Sequence, residues 1–119
     1  KLIKDLSRKQ TSLLVQLRTG HIPLHDYLHR FQKVDLPTCP CCNMANETVF
    51  HFLFQCTAHR RARDRLRSQV GRRNMATKYL FTSRSLLNPL FEFINASRRL
   101  HHIFGTIPPV PRKDDDDDE

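Results

Sequence analysis

The spacing of hydrophobic residues along the chain predicts a series of short helices. Apolar residues recur at helical spacing within residues 8–18, and Gly20 follows as a stop signal. A second short helix is expected after Pro23, because proline suits a first helical turn, where its missing N–H would be unpaired anyway. The apolar positions of these two helices are Leu13, Leu14 and Leu17, then Leu24, Tyr27, Leu28 and Phe31.

A third helix is predicted over residues 58–70, where apolar residues recur at every fourth position. Thr57 would cap its first turn and Gly71 would end it. A final helix is predicted from Pro89 to Phe104, with Asn88 as its cap and Gly105 as its stop. The apolar positions of these two helices are Ala58, Ala62, Leu66 and Val70, then Phe93, Ala96, Leu100 and Ile103.

The domain organisation follows from these elements. Within a chain of 119 residues, residues 1–105 are expected to form one small, mostly α domain, organised around a cysteine-rich segment at residues 39–56. Residues 106–119 carry three prolines and an acidic run, so we expect a disordered tail. No apolar run approaches the roughly 20 residues of a membrane-spanning helix.

Charge is distributed very unevenly between the body and the tail. The chain has 20 basic and 12 acidic residues, but residues 114–119 account for six of the acids. The rest of the chain therefore sets 20 basic residues against 6 acidic ones, a net charge of +14. Such an excess of Lys and Arg favours a polyanionic partner, because these side chains displace counterions from phosphates.

Four cysteines and one histidine lie within residues 39–56 and are the strongest chemical signal in the chain. Cys39, Cys42, His51 and Cys56 form the pattern C-x2-C-x8-H-x4-C. Structural zinc is typically held by four such ligands in a tetrahedron, with paired ligands two to four residues apart. Four protein ligands leave no open coordination position, so we predict one structural Zn²⁺ rather than a catalytic metal.

Other uses of these cysteines are less favoured. Disulfides are disfavoured because Cys41 and Cys42 are adjacent and no export signal is visible. A redox Cys-x-x-Cys usually accompanies a βαβ pattern, which is missing here. A zinc deaminase needs an H-x-E motif before its P-C-x-x-C, and this chain does not supply it.

Two questions about the ligand set stay open at this stage. His59 could replace His51, or Cys41 could replace a neighbouring cysteine; we prefer His51, because His59 falls inside the basic helix. A helix is expected over residues 48–54. On a continuous helix His51 and Cys56 would point roughly 140° apart, so both can reach one ion only if the helix ends between them.

Several motifs together resemble a known family. The stretches "QTSLLVQLRTGHIPLHDYLHRF", "CPCC…ETVFHFLFQC" and "LLNPLFEFINASRRL", within residues 8–104, resemble the C-terminal zinc-binding region of fungal non-LTR (LINE-type) retrotransposon polyproteins. The resemblance implies the same four ligands. It also implies a segment that follows a reverse transcriptase, and in many elements a ribonuclease H, and that helps to bind template RNA or target DNA. Cys41 is an extra thiol, and Thr57 stands where many members have proline.

Catalysis is not expected of this segment. Polymerase and ribonuclease H chemistry requires clustered carboxylates that hold divalent ions, whereas the acids of the body are scattered singly. We therefore predict a non-enzymatic, zinc-dependent nucleic-acid-binding module, acting inside the cell and in the nucleus. Its predicted phosphate contacts are Arg60, Arg61, Arg63, Arg65, Arg67, Arg72 and Arg73.

Two alternatives remain open. The segment could dock on an adjacent reverse transcriptase or ribonuclease H domain of the same polyprotein, or it could be a decayed remnant of such an element. Nothing in the sequence distinguishes RNA from DNA as the nucleic acid, or predicts a sequence preference.

Overall fold

A computed structural model describes residues 5–111 and begins with helix α1 (Arg8–Thr19). Ser7 starts the helix: its Oγ accepts the Gln10 N–H at 3.1 Å, and Gln10 Oε1 accepts the Ser7 N–H at 2.7 Å. Gly20 ends it in the left-handed region at φ 79°. The three predicted leucines are buried, so the prediction of this helix and its stop is confirmed.

Helix α2 (His25–Arg30) is shorter than its sequence pattern suggested. Leu24, just before it, is buried, but Phe31, just after it, is 58% exposed. The predicted apolar face is therefore wrong at Phe31, because the helix has already ended there. The chain turns sharply at Gln32, whose φ is 58°.

Helix α3 (Arg60–Val70) carries the cluster of arginines. A 3₁₀ turn at Thr57–His59 precedes it, and His59 occupies the N-cap position, so the prediction of Thr57 as the cap is wrong. Gly71, with φ 88°, ends the helix as predicted. A second 3₁₀ turn (Arg72–Asn74) follows.

The predicted final helix is instead two elements, α5 (Arg84–Ser97) and α6 (His101–Phe104), and a further short helix, α4 (Thr77–Leu80), precedes them. Pro89 lies inside α5 rather than at its start, and the helix breaks at Arg98, whose φ is 59°. The predicted apolar face is wrong at Ala96, which lies before the break and is exposed on α5, and at Ile103, which lies after the break and is also exposed. The buried residues of α5 are Leu87, Leu90, Phe91, Phe93 and Ile94.

Residues 106–111 pack against α5, which corrects the predicted start of the disordered tail. The Asn95 side chain donates to the Ile107 carbonyl at 3.0 Å and accepts its N–H at 2.8 Å. Asn88, predicted as a helix cap, makes the same pair of bonds to Val110 at 2.9 and 2.6 Å. Ile107 and Val110 are buried. The acidic run at 114–119 lies outside the described residues.

One hydrophobic core joins α1, α3 and α5 with the segment between Cys42 and Cys56. Phe52 and Leu53 enter it from that segment, and Leu66 enters from α3. Over residues 5–111 the chain is mostly helical and forms no strand beyond a single bridge between Thr38 and Asn46, so the mostly α prediction is confirmed. None of the helices described in that range has the length and apolar character needed to cross a membrane.

Candidate functional site

The two leading cysteines lie on a loop that folds back on itself; we call residues 36–48 the metal loop. The Cys39 N–H donates to the Ala45 carbonyl at 2.7 Å, and the Asn43 N–H donates to the Cys39 carbonyl at 2.9 Å. Asn43 adopts φ 61°, a left-handed turn that asparagine tolerates well. This turn places the Cys39 and Cys42 thiols on the same side of the loop.

The four predicted ligands converge on one point. One ligand atom from each of Cys39, Cys42, His51 and Cys56 lies within 4.8 Å of all the others. The Cys39 and Cys56 sulfurs are 3.8 Å apart, and Cys42 Sγ is 3.3 Å from His51 Nε2. Tetrahedral zinc with Zn–S bonds of about 2.3 Å would separate two sulfurs by about 3.8 Å. The cluster can hold one metal ion.

A widened helical turn explains how His51 and Cys56 reach the same point. Residues His51–Gln55 form a π turn, in which the Cys56 N–H donates to the His51 carbonyl at 2.8 Å, five residues back. Cys56 itself is extended, with φ −65° and ψ 122°. Such π turns often occur at functional sites. The helix therefore ends between the two ligands, as the sequence argument required.

The alternative ligands lie elsewhere. The His59 ring is buried against Phe52 and Phe93, with ring centroids 5.3 and 6.3 Å away. Cys41 is exposed and belongs to a different close group, with Cys39 and Glu47. The geometry thus favours His51 over His59, and Cys39 and Cys42 over Cys41.

The thiols differ in how easily they ionise. Burial raises the pKa of the Cys56 thiol to about 12. The pKa of Cys42 is lowered, mainly because the Met44 N–H donates to its sulfur at 3.4 Å. A metal binds thiolates, so it must displace a strongly held proton from Cys56, whereas Cys42 gives up its proton more readily.

A buried ion pair beside the cluster was missed by the sequence argument. Glu47 is 0% exposed, and Arg99 donates to its two oxygens at 2.6 and 2.7 Å. Glu47 Oε1 also accepts the His25 N–H at 2.7 Å, and Glu47 Oε2 lies 3.9 Å from Cys39 Sγ. The pair ties the metal loop to the break between α5 and α6, 52 residues further along the chain. The sequence offered one sign of this pair, namely that Glu47 is the single acidic residue within the cysteine-rich segment.

Arg63 has a structural role, and its assignment as a phosphate contact is wrong. Its side chain is buried and donates to the carbonyls of Phe52, Leu53 and Cys56 at 3.1, 2.7 and 2.8 Å. These carbonyls lie at the end of the π turn, which leaves them outside normal helical bonding. Arg63 therefore joins the metal-ligand turn to α3 and has no free donor face for a phosphate.

The other predicted arginines lie on or near the surface. Arg67 is partly exposed and pairs with Asp64 at 2.9 Å. The fully exposed ones are Arg60, Arg61, Arg65, Arg72 and Arg73. We call Arg60, Arg61 and Arg65 the arginine face, because they project from α3 directly after the last metal ligand.

Comparison with protein-family models, curated proteins and solved structures found no match for this chain. The retrotransposon resemblance therefore stays a prediction that rests on the motif residues, as does the expectation that the chain is not an enzyme.

Proposed function

We propose that this chain is a non-catalytic, zinc-dependent nucleic-acid-binding module of a retrotransposon reverse transcriptase polyprotein. In this role it contacts the backbone of template RNA or target DNA, and it acts in the nucleus. Other domains of the polyprotein would carry the chemistry.

Zinc is the metal that best suits the cluster. Three sulfurs and one imidazole nitrogen at tetrahedral separations match the ligand type and geometry of structural zinc sites. Cys39, Cys42, His51 and Cys56 would hold the ion, which would fix the metal loop against the π turn.

The observation that carries the proposal is the contact between Arg63 and the metal-ligand turn. Its three hydrogen bonds attach α3 to backbone carbonyls of the turn that carries His51 and Cys56. A metal bound at the cluster would thus hold the start of α3 rigidly, and the arginine face with it. A rigid array of guanidinium groups loses less entropy when it binds phosphates than a flexible one.

Charge indicates the type of partner. Outside residues 114–119 the chain carries +14, and the arginine face has one acid on the same helix, Asp64, which Arg67 already pairs. Binding directed at phosphates should be strongly salt-dependent, with a slope of about 0.9 per contact for duplex DNA and about 0.7 for single strands.

The test is a titration of the zinc-loaded chain with RNA and DNA at several salt concentrations. Replacing Arg60 and Arg65 with Gln should lower affinity and reduce the salt slope by about 1.4 for single strands and about 1.8 for duplex DNA, because two phosphate contacts are lost. The control, Arg8→Gln with Lys33→Gln, removes the same charge from other exposed positions and should have a much smaller effect. Equal losses in both variants, or no binding by the parent chain, would refute the proposal.

A second candidate is docking on the adjacent reverse transcriptase or ribonuclease H domain. Large apolar side chains on and near the metal loop favour it: Phe31, Leu36 and Met44 are 58%, 64% and 81% exposed. Replacing Arg60, Arg61 and Arg65 with Glu should abolish nucleic-acid binding and leave such docking intact. Docking that persists in the absence of any nucleic-acid binding would favour this second function.

A further inference from the structure

The interior of a groove between α3 and α5 is a feature that the proposed function leaves unused. Its volume is about 300 Å³. Small side chains leave it open: Ala62 on α3 lies across from Ala96 and Ser97 on α5. Ligand sites in proteins start at about this volume, so the groove suits a single flat ring and not a helix or an extended peptide.

The floor of the groove is mostly apolar, and its buried polar atom, His59 Nε2, has no hydrogen-bond partner among the described residues. It consists of His59, Leu66 and Phe93, which are 7%, 1% and 2% exposed. A neutral ring of low polarity packs well on such a floor.

The rim of the groove is polar and has two kinds of group. Arg61 and Arg65 of the arginine face stand along it. Near the other end, Gln69 Nε2 donates to Glu92 Oε1 at 3.1 Å, which leaves Glu92 Oε2 available as an acceptor. Positive and negative groups thus border one small apolar cavity.

We propose that this groove binds one unpaired nucleobase that carries an exocyclic amino group, while Arg61 and Arg65 hold the phosphates on either side of it. This inference rests on the proposed function and narrows it to single-stranded nucleic acid. An apolar cavity accepts the base, the arginines attract its backbone, and the Glu92 carboxylate accepts a hydrogen bond from the amino group.

The Glu92 carboxylate favours a nucleobase in the groove over the side chains of an acidic peptide. A carboxylate at the rim repels an acidic peptide, including the acidic run at 114–119, wherever a side-chain carboxylate would enter the groove. The same carboxylate accepts from the amino group of cytosine, adenine or guanine, whereas uracil has no amino group and offers only its ring N3–H. The groove should therefore prefer oligocytidine to oligouridine.

The experiment measures fluorescence anisotropy of labelled oligocytidine, oligouridine and duplex RNA with the zinc-loaded full chain. Ala96→Leu fills the groove from an exposed position, so the fold should persist. The matched control is Ser68→Leu, which adds the same side chain at an exposed α3 residue outside the groove. Glu92→Leu removes the proposed acceptor.

The parent chain should bind oligocytidine more tightly than oligouridine or duplex. Ala96→Leu should weaken oligocytidine binding by about tenfold, the typical effect of losing one stacked base, and Ser68→Leu should leave it unchanged. Glu92→Leu should reduce the preference for cytidine over uridine.

Equal affinity for all three ligands, unaffected by Ala96→Leu but weakened by Arg60→Gln and Arg65→Gln, would overturn the groove proposal and leave the phosphate-binding function standing. Absence of binding to every nucleic acid would overturn both. Tighter binding after deletion of residues 114–119, together with loss of that effect in Ala96→Leu, would identify the acidic run as the groove's occupant and also overturn the proposal.

Discussion

The metal loop and the helical core are stabilised in different ways. In the core, Leu13, Leu66 and Phe91 are 1% exposed or less, and apolar residues of α1, α3 and α5 surround one another. In the metal loop the buried residues are Cys39 and Glu47, a candidate metal ligand and an ion-paired acid. The core can rely on the hydrophobic effect, whereas the loop relies on an ion pair and, under the proposed function, on metal coordination.

This difference implies that removal of the metal should disorder the loop first, before the core loses its structure. A structural zinc site contributes on the order of 10 kcal/mol, while a whole domain is stable by about 5–15 kcal/mol. Losing the ion should therefore release the loop and bring the entire fold close to its limit of stability.

The largest expected effect is that of a ligand substitution. Cys39→Ser should abolish stoichiometric zinc binding and lower the free energy of unfolding by several kcal/mol, because a buried ligand and its metal are lost together. Metal content after dialysis and urea unfolding measure the two consequences. Cys41→Ser is the matched control, two residues away and exposed, and it should retain one zinc per chain.

His51→Ala should also abolish zinc binding, whereas His59→Ala should keep it. Loss of zinc in Cys41→Ser or His59→Ala, with retention in Cys39→Ser or His51→Ala, would assign the ion to a different ligand set and remove the contrast between loop and core.

Arg63 joins the two regions, and its replacement should produce the next largest effect. Arg63→Gln leaves up to three buried carbonyls without a donor, so we expect a loss of about 3 kcal/mol in unfolding free energy. Arg65→Gln, one position past Asp64 and exposed, should change stability by less than about 0.5 kcal/mol. Urea unfolding of both zinc-loaded variants makes the comparison; equal stabilities would show that Arg63 is not the link.

The Glu47–Arg99 pair is the second attachment of the loop. Glu47→Gln keeps the shape of the side chain but removes its charge, which leaves Arg99 without its partner. We expect a cost of about 2 kcal/mol, less than for a fully buried pair because Arg99 retains some contact with solvent.

A double-mutant cycle with Arg99→Gln measures the pair in isolation. In the zinc-loaded chain the cycle should give a favourable interaction energy between Glu47 and Arg99. This energy should decrease when the metal is chelated, because the loop that positions Glu47 is then released. An unchanged interaction energy after chelation would mean that Glu47 is held by the core and not by the metal loop.

The metal cluster was predictable because its signal is local. The ligand spacing favoured Cys39, Cys42, His51 and Cys56 while leaving Cys41 and His59 open, and the angular argument required the helix to end before Cys56. The sequence could not distinguish Arg63 from its neighbours, since its role depends on carbonyls freed by a π turn that spacing alone does not reveal. Burial of one arginine among seven is a tertiary property.

The helices likewise divide into those that local sequence signals predict and those whose ends depend on tertiary contacts. α1 carries its own start and stop signals, Ser7 and Gly20, and was predicted nearly to its ends. The last helices were not, because Pro89 normally marks a helix start and Arg98 gives no sign of a break. Arg98 adopts φ 59° next to Arg99, whose bonds to Glu47 fix the break from a distance.

The smallest expected effect concerns the segment at residues 106–111, which the sequence placed in a disordered tail. Asn95→Ala removes both partners of the Ile107 backbone, so we expect a loss of about 1–2 kcal/mol. Asn95→Asp keeps the acceptor and loses the donor, so it should cost about half as much.

Hydrogen exchange at the Ile107 and Val110 amides provides the local readout. Exchange should accelerate at Ile107 before Val110, which Asn88 still holds, while the zinc stoichiometry stays at one. Fast exchange at both amides in the parent chain would instead show that residues 106–111 do not pack against α5 and belong to the tail.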